Sequence, residues 1–436
     1  MSQLAVWMNG VLVGTWTGSG SQTFEYAPSW LEFEGRRPLS LSLPITANRQ
    51  VRGPAVAHYF DNLLPDNDAI RRRIRTRFGT RSTGAFDLLE AIGRDCVGAA
   101  QLLPIGEEAS DIHRVESEPL SDADVEQALQ GVLVAPAFGA PTLNDFRISL
   151  AGAQEKTALL RLDGQWRRPL RATPTTHILK LPLGRLPQFN ADFSTSVENE
   201  WLCAKILSEL GLTVAEADIA DFGEQRVLVV ERFDRAWVAP ESKRRRYLLR
   251  LPQEDMCQAV AVSPARKYES EGGPGMRACM DVLGNSESPW LARADFVKAQ
   301  LGFWLLAAPD GHAKNFSIFL HAGGSYSPTP LYDVLSAWPL MGKGASKLPY
   351  QNWKMAMAIR SRNAHYGFGE IETRHWRQLA GQAGEAAWES LVQMVEGVDP
   401  ALKRVEARLP RDFPAQVWDT IAAGMRKHAA KFLRGV

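Results

Sequence analysis

Apolar and polar positions alternate along this chain in several regimes. Near its start, "QLAVWMNGVLVGTW" carries two short apolar runs separated by Asn9-Gly10. That pair favours the tight turn of a β-hairpin because both residues tolerate positive φ. The pattern predicts two paired strands and not a secretory leader, since the segment lacks a basic leader and a small-residue cleavage site. "RPLSLSLPI" continues a β-rich reading, "FDNLLPDNDAIRRRIRTRF" reads as helical, and "GRDCVGAAQLLP" reads as a turn followed by a strand. The polar, acidic stretch 106–125 reads as a linker into a short helix.

Further on, "FRISLAGAQEKTALLRLDGQWRRPL" reads as a strand, a small-residue turn and another strand. In "THILKLP", β-branched and apolar residues around Lys180 predict a short strand. "STSVENEWLCAKILSELG" predicts a helix with Leu202, Ile206 and Leu210 on one face, Ser194 or Ser196 as its cap and Gly211 as its end. "RVLVVERF" predicts a buried strand ending in polar residues. From about residue 234 the pattern turns helical, and "RADFVKAQLGFWLLAA" is apolar almost all round towards its end, as in the middle of a helical domain. The expected organisation is a β-rich part over 1–110, a second mixed part over 111–233 and a mostly helical part over 234–436.

Composition changes this picture little. The chain has 436 residues, 45% of them hydrophobic and 23% charged, as in ordinary globular proteins, and its net charge of +1 creates no global field towards nucleic acid or membrane. Basic clusters at Arg71, Arg72, Arg73, Arg75 and Arg77, and at Lys243–Arg246, read as solvated surface or as a docking patch for an acidic partner. Cys96, Cys203, Cys257 and Cys279 are widely spaced with no C-x-x-C pair, so buried thiols in a reducing compartment are expected and zinc is not. No uncharged apolar run approaches the roughly 18 residues of a membrane span. A cytoplasmic protein with no membrane partner is expected.

Candidate chemistry begins with "DGHAKN", Asp310 to Asn315, directly after the apolar helix. A D-x-x-x-x-N spacing lets one tight loop present an aspartate that accepts the proton of an attacking hydroxyl and an asparagine whose carbonyl oxygen binds Mg2+. A polar turn capping the next element would have the same composition. "TPLYDVLS" supplies Asp333 at a hairpin's distance, as a second metal-holding carboxylate or as a helix cap. Lys180 on its apolar strand is suited to phosphates, because a buried ammonium needs a negative partner. Glu198 or Glu200 on the following helix could pair with it. "SLAGAQEKT" lacks the glycines of a P-loop, since Glu155 precedes Lys156 where glycine is required, yet its small residues let backbone N–H groups approach phosphate. Gly273, Gly275 and Ala278 match G-x-G-x-x-A but follow no strand and enclose Pro274, so a dinucleotide site is rejected. The histidines form no H-E-x-x-H, and no G-x-S-x-G is present; His312 fits better near phosphates. In this order, the parts are those of a kinase.

The segments "YAPSWL", "RPLSLSLP", "FDNLLPD", "GRDCVGA", "ISLAGAQEKTALL", "TPTTHILKLP", "VERFDR", "LPQEDMCQ", "KYESEGGPG", "DGHAKNFS" and "LYDV" closely resemble the HipA family, bacterial serine/threonine kinases that act as toxins of toxin–antitoxin pairs. The resemblance covers essentially the whole chain. It implies an α+β, two-lobed protein-kinase-like fold with an extra N-terminal subdomain, and ATP and Mg2+ as cofactors. It implies Asp310 as catalytic base and Asn315 and Asp333 as metal ligands. It further implies phosphate contacts from Ala151, Gly152, Ala153, Gln154, Glu155, Lys156 and Lys180, an adenine hinge at Glu231, Arg232 and Phe233, and His312, Lys314 and Tyr332 near the nucleotide. Ser149 matches the family's autophosphorylated serine, whose phosphate would switch the kinase off. The implied substrate is glutamyl-tRNA synthetase, and the implied partner is a HipB-type helix-turn-helix antitoxin that contributes most of the affinity for operator DNA. Around Arg374 and Arg377, "GFGEIETRHW" departs from the family pattern, so no direct DNA contact is carried over. The rival readings are the same chemistry on another aminoacyl-tRNA synthetase, a corepressor with little catalysis, and small-molecule phosphotransfer.

Overall fold

The computed structural model describes residues 2–18, 20–109, 111–133, 149–151, 154–171, 173–186, 191–239, 246–344 and 347–436. They form two compact units, each assembled from separated segments: Met1–Leu181, Ala220–Ala265 and Ser317–Tyr326 in one, Pro182–Ile219, Arg266–Phe316 and Ser327–Val436 in the other.

The first unit opens with the expected hairpin. Gln3–Met8 pairs with Val11–Thr17 through Asn9 (φ 45°) and Gly10 (φ 81°). It belongs to a five-stranded antiparallel sheet in the order Gln50–Arg52, Thr23–Tyr26, Val11–Thr17, Gln3–Met8, Ala100–Pro104. The helices Pro54–Asn62 and Ala85–Ile92 complete a core in which Trp16 stacks on Phe60 at 3.9 Å. "RPLSLSLPI" forms only an isolated bridge between Ser40 and Leu43. Pro38 and Pro44 flank the alternation and supply no N–H for a ladder. "FDNLLPDNDAIRRRIRTRF" is two helix segments, one ending at Asn62 and one spanning Asp68–Phe78. Pro65 lies in the break, and the Asn67 side chain caps the second helix by accepting from Ala69 N at 2.8 Å.

A second, six-stranded sheet runs Ala217–Phe222, Gln225–Glu231, His177–Lys180, Lys156–Leu162, Gln165–Pro169, Ser117–Pro119. The helix Asp122–Leu133 covers it, burying Val125 and Leu129 against Leu159, Leu179 and Val227. The expected strand before the small-residue turn falls on residues 146–150, of which only Ser149 and Leu150 are described, and these two carry no regular structure.

A fully buried ionic cluster lies within this unit. Asp95 Oδ1 accepts from Arg235 Nη2 (2.9 Å) and Arg250 Nε (3.0 Å), and its Oδ2 accepts from Thr175 Oγ1 (2.8 Å) and Arg232 Nη1 (3.4 Å). Arg232 also grips Asp234 with Nε (3.0 Å) and Nη2 (2.8 Å). Burial alone would raise the Asp95 carboxyl, yet the guanidinium groups of Arg235, Arg250 and Arg232 hold it well below the usual carboxylate range.

The second unit is mainly helical. Its central helix, Pro289–Leu305, buries nearly every residue from Phe296 onward and packs against Thr373–Ala383, Ala387–Glu396 and Ala415–Leu433. In its core His428 stacks on Trp304 at 4.2 Å and bridges the Trp304 carbonyl and the Tyr350 hydroxyl, each at 2.7 Å. The helix Ser196–Glu209 starts after Thr195, which makes no side-chain cap. Ser196 Oγ accepts instead from Leu183 N at 2.9 Å. All four cysteines are buried thiols outside any disulfide, as expected. Among the described residues no helix is long and apolar enough to cross a membrane.

Candidate active site

The loop after the central helix is shaped by that helix's end. Ala307 takes the left-handed conformation (φ 47°), its N–H bonds to Trp304 O (3.0 Å), and Ala308 N–H reaches Phe303 O (2.8 Å). This Schellman-type closure turns the chain out of the helix just before Pro309-Asp310. Gly311 follows because a Cβ there would lie 2.6 Å from the Phe303 ring.

The spacing of Asp310 and Asn315 then acquires a geometric reason. The Asp310 carbonyl accepts from His312 N (2.8 Å) and from Asn315 Nδ2 (2.7 Å), so the asparagine side chain closes the loop on the aspartate's own backbone. With its nitrogen so committed, Asn315 presents its oxygen. The Tyr332 hydroxyl donates to Lys314 O (2.8 Å), which fixes the segment carrying Asp333 against the same loop. Asp333 itself is left-handed (φ 59°), a conformation costing about 1 kcal/mol for a non-glycine residue and concentrated at functional sites. The Asn315 amide oxygen and the Asp333 carboxylate are the hard oxygen donors that Mg2+ takes, so the donor chemistry fits that ion. The Asp310 side chain is half exposed, and His312 Nε2 lies 3.6 Å from its Oδ1. The Tyr268 hydroxyl donates to the same oxygen at 2.5 Å.

Within the first unit, Lys180 is buried on the strand His177–Lys180 and stands directly opposite Lys156 in the antiparallel register. Directly opposed residues share a face, so both lysine side chains leave the same side of the sheet. Ser149 is completely buried: its Oγ donates to Leu63 O (2.7 Å) and its N–H to Asp95 O (3.1 Å). Ala151 lies two residues further on, while Gly152 and Ala153 lie outside the described residues. Gln154 Nε2 donates to Leu181 O (2.6 Å), and Glu155 forms an ion pair with Arg73. Two members of the first basic cluster therefore have intramolecular partners, Arg71 with Asp61 (2.7 Å) and Arg73 with Glu155. In the second cluster Lys243, Arg244 and Arg245 lie outside the described residues.

At the expected hinge, the Glu231 side chain is exposed and Phe233 meets Phe319 edge-on at 5.8 Å. The Arg232 guanidinium is spent in the ionic cluster, the main-chain N–H of Arg232 donates to Thr176 O (2.8 Å), and its carbonyl accepts from Arg235 N (3.2 Å). Glu198 and Glu200 are both buried in the helix Ser196–Glu209 of the other unit, each with polar or charged partners.

Residues 148–408 match the HipA-like C-terminal domain, and residues 4–103 match the HipA N-terminal domain. The chain belongs to the HipA family. Among its relatives, Y4mE of Sinorhizobium fredii, named as a candidate kinase, is 33% identical over 389 residues, 87% of this chain and 86% of that protein. The serine/threonine-protein kinase toxin HipA of Shewanella oneidensis is 28% identical over 317 residues, 69% of this chain and 66% of that one. The solved Shewanella oneidensis MR-1 structure of HipA with HipB and operator DNA matches with a TM-score of 0.79 at 23% identity, covering 99% of this chain and 97% of that one. The fold is therefore the mixed helix-and-sheet, two-lobed kinase-like fold of HipA. Membership of a serine/threonine kinase toxin family implies ATP as the phosphoryl donor.

Reasoning from the sequence assigned no role to Tyr268 or to the cluster around Asp95. The available signals were the "KYESEGGPG" and "GRDCVGA" segments, whose glycines mark tight backbone.

Proposed function

We propose that this chain is the toxin kinase of a toxin–antitoxin module and transfers the γ-phosphoryl group of ATP to a serine of glutamyl-tRNA synthetase. The observation that carries the reading is the Asp310–Asn315 loop, which the Asn315 amide closes on the Asp310 carbonyl while the Asp310 carboxylate stays half exposed, and to which Tyr332, the neighbour of left-handed Asp333, is hydrogen-bonded through Lys314 O. Asp310 orients the acceptor hydroxyl and takes its proton. Asn315 and Asp333 would hold Mg2+, which when bound neutralises charge on the phosphates. Lys180, Lys156 and the backbone of Ala151–Lys156 contact the phosphates. Glu231, Arg232 and Phe233 form the hinge at the adenine, with His312, Lys314 and Tyr332 near the nucleotide.

Ser149 is proposed as the autophosphorylation site. Its sealed seat against Leu63 O has no room for a group carrying up to about two negative charges, so modification expels the segment and inactivates the kinase. The subdivision into 1–110, 111–233 and 234–436 is proposed as the functional one, supported at its first part by the N-terminal-domain match over 4–103. The partner is a HipB-type antitoxin, which supplies most of the contact with operator DNA, and the module acts in the cytoplasm, where the synthetase works.

The test is to incubate the protein with ATP, Mg2+, glutamyl-tRNA synthetase and its tRNA, then map phosphoserine and assay aminoacylation. Phosphate on the synthetase with loss of charging supports the proposal. Phosphate only on Ser149 leaves the kinase and moves the substrate to another synthetase. No phosphate at either place, from initially unphosphorylated protein, favours the corepressor.

A further inference from the structure

We infer that Tyr268 is a positioning residue for Asp310, a role that rests on the kinase reading above. It lies in "KYESEGGPG", whose glycines form part of the G-x-G-x-x-A match. Its hydroxyl donates to Asp310 Oδ1 at 2.5 Å, and its ring stands edge-on to His312, with centroids 5.0 Å apart and planes at 81°.

The backbone holds the tyrosine in place. Glu271 N and Gly273 N both donate to the Tyr268 carbonyl, at 3.1 and 2.9 Å. A Cβ at Gly273 would lie 2.0 Å from Arg266 O and 2.7 Å from Tyr268 O, so only glycine permits this turn. The next residue anchors it: Glu269 Oε2 accepts from Ala358 N (2.7 Å) and Oε1 accepts from Arg360 Nε (2.8 Å), both on the strand Lys354–Arg360. A side chain tethered on both flanks does not behave as a swinging gate. It fixes the carboxylate it touches.

The consequence is a division of labour within Asp310. Oδ1 is held by Tyr268, and among the described residues no hydrogen bond reaches Oδ2. Oδ2 is therefore the oxygen offered to the acceptor serine. As that serine's oxygen bonds to the γ-phosphorus, the bond to the β,γ-bridging oxygen breaks, ADP leaves with the electron pair, and the serine proton passes to Oδ2. Without the hydroxyl of Tyr268 the carboxylate is free to rotate about its Cβ–Cγ bond, and misalignment of about 1 Å in such a group costs on the order of 100-fold in rate.

The test uses the full-length, dephosphorylated protein and follows autophosphorylation with labelled ATP and Mg2+. Tyr268→Phe keeps the ring and removes the hydroxyl. Its maximal rate constant is expected to fall about 10- to 100-fold, with half-saturation for ATP and the thermal midpoint near wild type. A rate constant within twofold of wild type, or a deficit confined to half-saturation, overturns the inference. Should Tyr268→Phe not fold, Glu269→Gln loosens the anchor and keeps the hydroxyl. A reduced maximal rate constant then supports the inference, and an unchanged one overturns it. Wild-type protein that takes up no label refutes the kinase reading and this role with it. Active wild type with unaffected Tyr268→Phe refutes this role alone.

Discussion

Replacing Asp95 with asparagine is expected to destabilise the first unit severely. The substitution is nearly isosteric, so its effect is electrostatic. In the native cluster the carboxylates of Asp95 and Asp234 face the guanidinium groups of Arg232, Arg235 and Arg250, all buried. Positive charge is already in excess there. Removing one acid leaves a single carboxylate among three guanidiniums and turns an amide N–H2 towards groups that themselves donate: Thr175 and Arg232 on one side, Arg235 and Arg250 on the other. Breaking a buried pair by deleting one partner costs about 3–5 kcal/mol, and this site belongs at the upper end because the deleted charge has three partners. For a unit of this size that lowers the calorimetric midpoint by about 10 °C. Arg250→Met is expected to cost less, because it removes excess charge of the surplus sign. An Asp95→Asn midpoint within about 2 °C of wild type, or an Arg250→Met protein less stable than Asp95→Asn, would refute the electrostatic reasoning. The cluster also matters to the site. Asp95 O accepts the Ser149 N–H and Arg232 lies at the proposed hinge, so Asp95→Asn should also increase proteolysis near Ser149.

Two further outcomes are expected. Burial pushes His428 down to about 3, against a Trp304 hydrogen bond that raises it, from an ordinary 6.5. Between those values the unfolded chain binds a proton that the native protein does not, so stability rises with pH across that window, at up to about 1.4 kcal/mol per pH unit. In His428→Phe the difference in urea stability between pH 5 and pH 7 should shrink by about 2 kcal/mol, and an unchanged difference would remove His428 as the cause. Gly98 sits at φ 74° with the Gln253 carbonyl oxygen 2.7 Å from where a Cβ would be. Gly98→Ala should therefore cost about 2 kcal/mol or more in equilibrium unfolding, and a neutral result would show that the turn yields.

What the sequence makes legible here is mainly local. Asn9-Gly10 encodes its hairpin within two residues, and Asp310 and Asn315 close their loop across five, so spacing alone points to the geometry. "RPLSLSLPI" misleads because alternation signals a strand only where every residue can join a ladder, and its prolines cannot. Arg232, Asp234, Arg235 and Arg250 look like polar strand ends and surface. Their burial depends on Asp95, which lies 137 residues from Arg232, and no periodicity reports such a pairing. Tyr268 is similarly hidden, 42 residues before the aspartate it touches, and only the glycine-rich turn that fixes it is visible in the sequence.

In the proposed function Asp310 drives phosphoryl transfer. The most direct measurement is label incorporation from labelled ATP and Mg2+ into dephosphorylated full-length protein, wild type beside Asp310→Asn. Uptake by the wild type is expected, with a loss of about 100-fold or more in the variant, the usual contribution of a general base with its positioning. Comparable uptake by both proteins, or none by either, would contradict this role.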